Sequence, residues 1–211
     1  MEKVLVIIPT YNEVENIQKV IDLTLKDKAY DILVVDDSSP DGTADLVLEL
    51  IKTRSNRLFL EQRARKEGLG KAYIHGFRWA LKNNYDFIFE MDADLSHDPK
   101  ELSPMLDYLK SDYDLVIGSR YVKGINVVNW PLSRILLSYL ASVYVRWIAF
   151  MPINDPTAGF VGYTRTVLEQ LDFNKIKFVG YAFQIEMKFK IWKKGFNFKE
   201  HPIIFTNRVL G

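Results

Sequence analysis

Phe87-Ile88-Phe89-Glu90-Met91-Asp92-Ala93-Asp94 is the stretch that decides the fold of this chain. The run from Phe87 to Met91 has the apolar density of a buried strand, and it stops on two carboxylates. Alternation along a strand turns Asp92 and Asp94 to the same side. Two like charges held that close repel each other unless a cation or a shared proton lies between them. A hard divalent cation with oxygen ligands removes the repulsion, and such a cation usually brings a substrate diphosphate with it. A polar strand end that happens to carry two acids would look the same, and the neighbouring segments distinguish the two.

Upstream, Val4 to Ile8 is a β-branched and leucine run ended by Pro9, which suits a buried parallel strand. Asn12 to Leu25 predicts a helix with Val14, Ile17, Val20, Ile21 and Leu25 on one face. Asp31 to Val35 predicts a second strand, cut off by Asp36-Asp37-Ser38-Ser39-Pro40-Asp41-Gly42-Thr43, where turn chemistry merges with a helix N-cap signal ahead of Ala44 to Lys52. Leu58 to Leu60 is a brief third strand, followed by a loop over Gln62 to Leu69 and a helix from Gly70 to Asn83. Downstream of the acidic pair come a helix over Pro99 to Ser111 and a fifth strand over Asp114 to Gly118. Strands alternating with helices predict a doubly wound α/β fold with a mostly parallel sheet. Ligands in such sheets bind beyond the carboxyl ends of the strands. Pro9-Thr10-Tyr11, Asp36-Asp37, Asp92-Ala93-Asp94 and Ser119-Arg120 all fall at those ends, so four polar clusters converge on one rim.

Beyond residue 120 the pattern changes. Pro131 to Met151 predicts a long helix with little polar surface, in which Arg134 and Arg146 bracket an uncharged stretch of 11 residues. That is too short to span a bilayer. Such a helix is either buried or lies along a membrane surface with its arginines at the headgroups, and its length favours burial. The bulk numbers narrow the class further. At 211 residues a single domain over 1–211 is expected, with a core that needs no staples. Lys and Arg number 28 against 27 Asp and Glu, so no overall field points to nucleic acid. The absence of cysteine excludes both a disulfide framework and a thiolate metal site. The apolar part of Met1 to Pro9 is too short for a signal peptide, so a cytoplasmic location is expected.

Taken in order, Pro9-Thr10-Tyr11-Asn12-Glu13, Val34 to Thr43, Gly68-Leu69-Gly70-Lys71, Met91 to His97 and Gly118-Ser119-Arg120-Tyr121 resemble the family 2 glycosyltransferases. Within that family the chain is similar to the polyprenol-phosphate (dolichyl-phosphate) mannosyltransferases. Trp130 with Arg134, Asp155 to Phe160, Phe183 to Glu186, and Glu200 to Ile203 leading to Arg208 extend the resemblance over essentially the whole chain. The resemblance implies a GT-A fold, with 1–120 the nucleotide-sugar and metal half and 121–211 the acceptor half. It implies GDP-mannose as donor, Mg²⁺ or Mn²⁺ as cofactor and a polyprenyl or dolichyl phosphate as acceptor. Pro9, Tyr11, Glu13, Asp36 and Asp37 match positions that hold the nucleoside. Asp92, Ala93 and Asp94 match the diphosphate and metal positions, with Asp94 the direct ligand, and Ser96 stands where some members place a further oxygen ligand. Arg120, Arg134, Ser138 and Arg208 match positions that hold the phosphates of donor and lipid, with Arg120 and Arg208 on the donor as well. Asp94, Arg120 and Asp155 are the expected catalytic set. The 131–151 helix becomes an amphipathic membrane-facing element, and the protein is expected at the cytoplasmic face of a membrane.

The chemistry asks for the same residue types. Sugar transfer separates a diphosphate from an oxocarbenium-like sugar, and a divalent cation on Asp94 acts as a Lewis acid on the leaving oxygens. Guanidinium groups bind phosphate bidentately and keep their charge. A phosphate monoester, with a second pKa of about 6, is already largely dianionic at neutral pH and needs positioning more than a base. Direct displacement with inversion is therefore expected, with Asp155 shaping the sugar site. Gln184 to Lys188 lacks the Arg-Trp of the processive synthases' Gln-x-x-Arg-Trp, which favours single transfer, and Gln184 and Glu186 are either pocket residues or a satisfied pair on a core helix. Three other readings stay open: a UDP-sugar-dependent glucosyl or N-acetylhexosaminyl transferase, a hydroxyl-directed transferase with a base at or near Asp155, and a sugar-nucleotide binder without turnover. A binder, however, has no use for acceptor arginines, and a nucleotidyltransferase would want a Gly-rich loop after the first strand.

Overall fold

A computed structural model describes residues 2–54 and 56–207. In the first part of the chain β1 (Val4–Thr10), α1 (Ile17–Thr24), β2 (Tyr30–Asp36), α2 (Thr43–Thr53), β3 (Leu58–Gln62), α3 (Leu69–Lys82), β4 (Phe87–Glu90), α4 (Leu102–Lys110) and β5 (Leu115–Ser119) alternate as the sequence predicts. The rest comprises β6 (Val127–Val128), α5 (Leu132–Ala149), β7 (Val161–Thr164), α6 (Arg165–Glu169), α7 (Tyr181–Lys193), β8 (Phe198–Pro202) and β9 (Phe205–Thr206). The seven-stranded sheet runs β3-β2-β1-β4-β7-β5-β8. Its β1–β2, β1–β4, β2–β3 and β5–β8 pairs are parallel, and only β7 runs against its neighbours, β4 and β5. The sheet is thus mostly parallel, as expected.

Both faces are covered, which is why β1, β2, β4 and β5 read as continuous apolar runs rather than alternating ones. Val4, Val6 and Ile8 pack with Ile17, Val20 and Ile21 of α1, Val47 of α2 and Met105 of α4. Leu5 and Ile7, turned the other way, pack with Tyr73 and Phe77 of α3, Val167 of α6 and Met187 of α7. Gly76 of α3 permits this closeness: a Cβ there would stand 2.7 Å from Ile7.

Two expectations need correction. The first helix begins at Ile17 rather than near Asn12, because 12–16 are drawn into the rim: Asn12 N bonds Ser39 Oγ, Glu13 N bonds Thr43 Oγ1 and Val14 N bonds Asp41 Oδ2. The second concerns α5, for which length favoured burial. Among its residues Ser142 alone is buried, and Leu132, Leu137, Tyr144 and Trp147 are 64–80% exposed. The reason is geometric: the two sheet faces already carry their helices, and α5 touches the core only through Val145 and Ala149 near its C-terminal end. No described helix is long and apolar enough to cross a membrane. The β6–β9 pair ties the segment entering α5 to the C-terminal segment.

Candidate active site

A cleft of about 1020 Å³ opens where the parallel strands end. Pro9, Tyr11 and Glu13 reach it from the end of β1, Asp37 from β2, Asp92, Ala93, Asp94 and Ser96 from β4, and Arg120 from β5, while Arg134 and Ser138 reach it from α5. These expected site residues therefore share one cavity, and they come from both halves of the chain. Asp36 and Asp155 do not line it; both are fully buried behind its walls. Arg208 falls outside the described residues.

Three rim loops turn through left-handed backbone at residues other than glycine: Asn12 (φ 60°), Ser38 (φ 56°) and Leu95 (φ 62°). For a bulky residue such as Leu95 that conformation costs of order 1–3 kcal/mol, strain of the kind that collects at functional sites. At Leu95 it folds the chain so that Ser96 N donates to Asp94 Oδ1 at 3.0 Å.

Behind the cleft wall at the ends of β1 and β2, Asp36 accepts from Thr10 Oγ1 at 2.8 Å and from Ser39 N and Oγ at 2.9 and 2.6 Å, so it laces the β1 and β2 loops together. Asp37 is paired with Arg63 at 2.8 Å; burial pushes its carboxyl above the usual range, with the Arg63 charge opposing. Lys66 sits 3.8 Å from the centre of the Tyr11 ring, a cation–π contact on the same wall.

At the acidic end, Tyr73 Oη approaches Asp92 Oδ1 at 3.5 Å. His97 Nδ1 accepts from Asp92 N at 3.4 Å while its ring lies against Phe160 and Phe205. Burial lowers His97 to about 4, so it is a neutral imidazole at pH 7. Ser96 Oγ is buried with no hydrogen-bond partner among the described residues, although Ser96 lines the cleft. A buried orphan hydroxyl beside two carboxylates fits an oxygen-ligated divalent cation. Among the described residues no group of three or more His, Cys, Asp or Glu is placed to hold a metal ion by itself.

Opposite, Arg120 is not an open clamp. Its Nε and Nη2 each donate to Asp155 at 2.7 Å, Nη2 also to Thr157 Oγ1 at 2.8 Å, and its backbone N–H to Asp155 at 3.0 Å. These bonds engage Nε and Nη2 and leave Nη1 outside the Asp155–Thr157 grip. Arg134 stacks 4.0 Å from the Trp130 ring and donates to Asn207 at 2.9 Å. Ser138 Oγ accepts from Tyr121 Oη at 2.7 Å. Glu186 accepts from Lys177 N and Phe178 N and pairs with Lys190, so it is a fixture of the loop before α7.

Sequence reasoning gave no role to Glu90, Lys188 or Glu200, which are buried and do not line the cleft. Glu90 had a signal, since it stands two residues before Asp92 inside an apolar run. Lys188 had none; nothing separates it from Lys190 and Lys193 on the same helix.

Comparison with known proteins follows this geometry. A family model described as glycosyl transferase family 2 matches residues 5–172. The polyprenol monophosphomannose synthase of Mycolicibacterium smegmatis is 46% identical over 211 residues, covering 100% of this chain and 80% of the relative. The undecaprenyl-phosphate mannosyltransferase of Micrococcus luteus is 43% identical, covering 99% and 86%. Among solved structures, the mannosyltransferase PcManGT of Pyrobaculum calidifontis, in complex with GDP-Man and Mn²⁺, superposes with a TM-score of 0.66 at 21% identity. That likeness covers 99% of this chain and 57% of the other, and it is a likeness of fold.

Proposed function

The chain belongs to glycosyl transferase family 2, and from that premise we propose that it transfers mannose from GDP-mannose to the phosphate of a polyprenyl lipid, with inversion. One observation carries the reading: acids from three strand ends face Arg134 and Ser138 across a single cleft, at the foot of an exposed apolar helix. The two bacterial relatives, named for mannose transfer to polyprenyl phosphates, support the same substrate pair.

Asp94, Asp92 and Ser96 are the residues that would hold Mg²⁺ or Mn²⁺, which supplies Lewis-acid stabilisation of the departing diphosphate. Tyr11, Glu13 and Asp37 bind the nucleoside, the Tyr11 ring offering a face on which Lys66 now rests. Arg134 and Ser138 receive the acceptor phosphate. That phosphate arrives largely dianionic, so no side chain has to remove its proton. Asp155 is poorly suited to the task in any case, because Arg120 occupies both of its oxygens. Holding Asp155 in this way also keeps Thr157 at the cleft wall. Inversion follows from a single in-line attack by the lipid phosphate on the face opposite the leaving group.

The acceptor's hydrocarbon continues the argument to α5. Leu136, Leu137 and Leu140 are 53–72% exposed beside the cleft, a patch too apolar to be left to water in a working enzyme. The helix is the surface on which the protein rests against a membrane, at its cytoplasmic face, while Arg134 and Arg146 meet the headgroups. A donor screen tests the reading. Purified protein is incubated with Mn²⁺ or Mg²⁺, a short polyprenyl phosphate and labelled GDP-mannose, UDP-glucose or UDP-N-acetylglucosamine. Label should enter the organic phase with GDP-mannose and be lost on chelation by EDTA. Label from a UDP-sugar alone, or label independent of the lipid phosphate, would overturn the assignment.

A further inference from the structure

Lys188 of α7 has no solvent exposure. A buried ammonium is tolerated only where it is paired and hydrogen-bonded, so its contacts reveal its use. Nζ donates to Ala158 O at 2.7 Å, to Gln184 Oε1 at 3.0 Å and to Gln184 O at 3.3 Å. Gln184 Nε2 donates in turn to Glu90 Oε2, and Glu90 Oε1 accepts from Tyr163 Oη at 3.2 Å. Ala158 and Gln184 both line the cleft, as do Thr157 and Gly159. Gly159 lies so near the acidic end that a Cβ there would stand 3.6 Å from Asp92 Oδ2.

The segment before β7 is gripped at three points. Glu200 of β8 accepts from Asn154 N at 2.9 Å and Asp155 N at 3.0 Å. Arg120, at the end of β5, holds the Asp155 and Thr157 side chains. Lys188 holds the peptide carbonyl that directly precedes Gly159. The first two grips fix residues 154–157; the third fixes the part of the segment that lies against Asp92.

We propose that Lys188 is a positioning residue for sugar transfer: its ammonium sets Ala158, Gly159 and the Gln184 amide as a rigid floor for the sugar, facing the Asp92 side of the cleft. This rests on reading the cleft as a sugar-nucleotide site. The rival role is plain charge balance for Glu90, and the two roles part when both charges are removed together. Under charge balance, the pair Lys188→Met with Glu90→Gln would behave like the parent. Under positioning, the double variant regains stability, because no unpaired buried charge remains, yet the Ala158 carbonyl is still unheld.

Four proteins decide it: parent, Glu90→Gln, Lys188→Met and the double variant, each measured for Tm, for binding of GDP and of GDP-mannose with Mn²⁺ by calorimetry, and for kcat and KM. Glu90→Gln, which leaves the Ala158 contact intact, should keep kcat within about threefold of the parent. Lys188→Met should lose Tm, and the double variant should recover most of that loss. Both lysine variants should bind GDP within about threefold of the parent but turn over at least about tenfold more slowly. Recovery of kcat along with Tm in the double variant would overturn the proposal, as would an unchanged kcat in Lys188→Met. Should the single lysine variant fail to fold, the double variant carries the same comparison. A parent that binds GDP but transfers no mannose overturns the substrate assignment instead; the floor is then judged with whichever nucleotide sugar the parent does bind, and a parent that binds none overturns both.

Discussion

Asp155 shows how far a residue's identity can be legible while its work is not. Its acidic character and place in Asp155-Pro156-Thr157-Ala158-Gly159 mark it as a site residue, and Arg120 reads from sequence as a phosphate clamp. The structure joins the two in a bidentate pair whose side chains are 0% and 11% exposed. Arg120 is held above its ordinary value chiefly by hydrogen bonding and charge from Asp155, against the opposing cost of burial. Residues 35 positions apart give no sequence signal that they will meet. Asp155→Asn leaves a nearly buried guanidinium without its counter-charge, which should cost about 3–5 kcal/mol in urea or thermal unfolding. Activity should fall with it and stay low as pH rises. A pH–rate profile in which alkali restores the variant would instead give Asp155 the role of a general base.

At the level of elements, the strands that could be read were those buried on both faces. β1, β2, β4 and β5 announce themselves as apolar runs, whereas β7 and β8 do not. β7 is four residues long and includes Gly162, which must be small because Phe89 would lie 2.5 Å from any Cβ. β8, Phe198-Lys199-Glu200-His201-Pro202, stands at the sheet edge, where charges and proline are the normal furniture. The long helix was legible in extent, within two residues at each end, but not in its surroundings; periodicity says which side chains cluster, and cannot say which faces of the sheet are already taken. Its exposure yields a prediction. Leu136→Asp with Leu140→Asp should abolish partition onto anionic liposomes, yet unfolding free energy should change by no more than about 0.5 kcal/mol per site, as at exposed positions. Unchanged partition in a sedimentation assay would remove α5 from the membrane contact.

Across the whole molecule, the buried charges couple stability to pH. Burial raises Glu90 from 4.5 to about 7, with Lys188 opposing the shift, and lowers Lys188 from 10.5 to about 8, with Glu90 and Asp155 opposing. Lys188 also feels Arg120 and Glu200, and Glu90 feels Asp92. Between 4.5 and 7 the folded protein keeps a proton on Glu90 that the unfolded chain has released, so stability falls as pH rises. Between 8 and 10.5 the unfolded chain keeps a proton that folded Lys188 has lost, so stability climbs with pH. Relative to the Glu90→Gln, Lys188→Met double variant, the parent's Tm should therefore dip by several degrees between about 7 and 8 and recover on either side. A flat difference curve from calorimetry would mean that neither group is perturbed by folding. The antiparallel β7 carries a consequence for how the protein comes into being. Because β7 fills the gap between β4 and β5, and the segment that meets Asp92 leads straight into it, a chain emerging from the ribosome cannot join β4 to β5 without also carrying Thr157 to Gly159 to the cleft wall. Knitting the two parts of the scaffold together and raising that wall are one event.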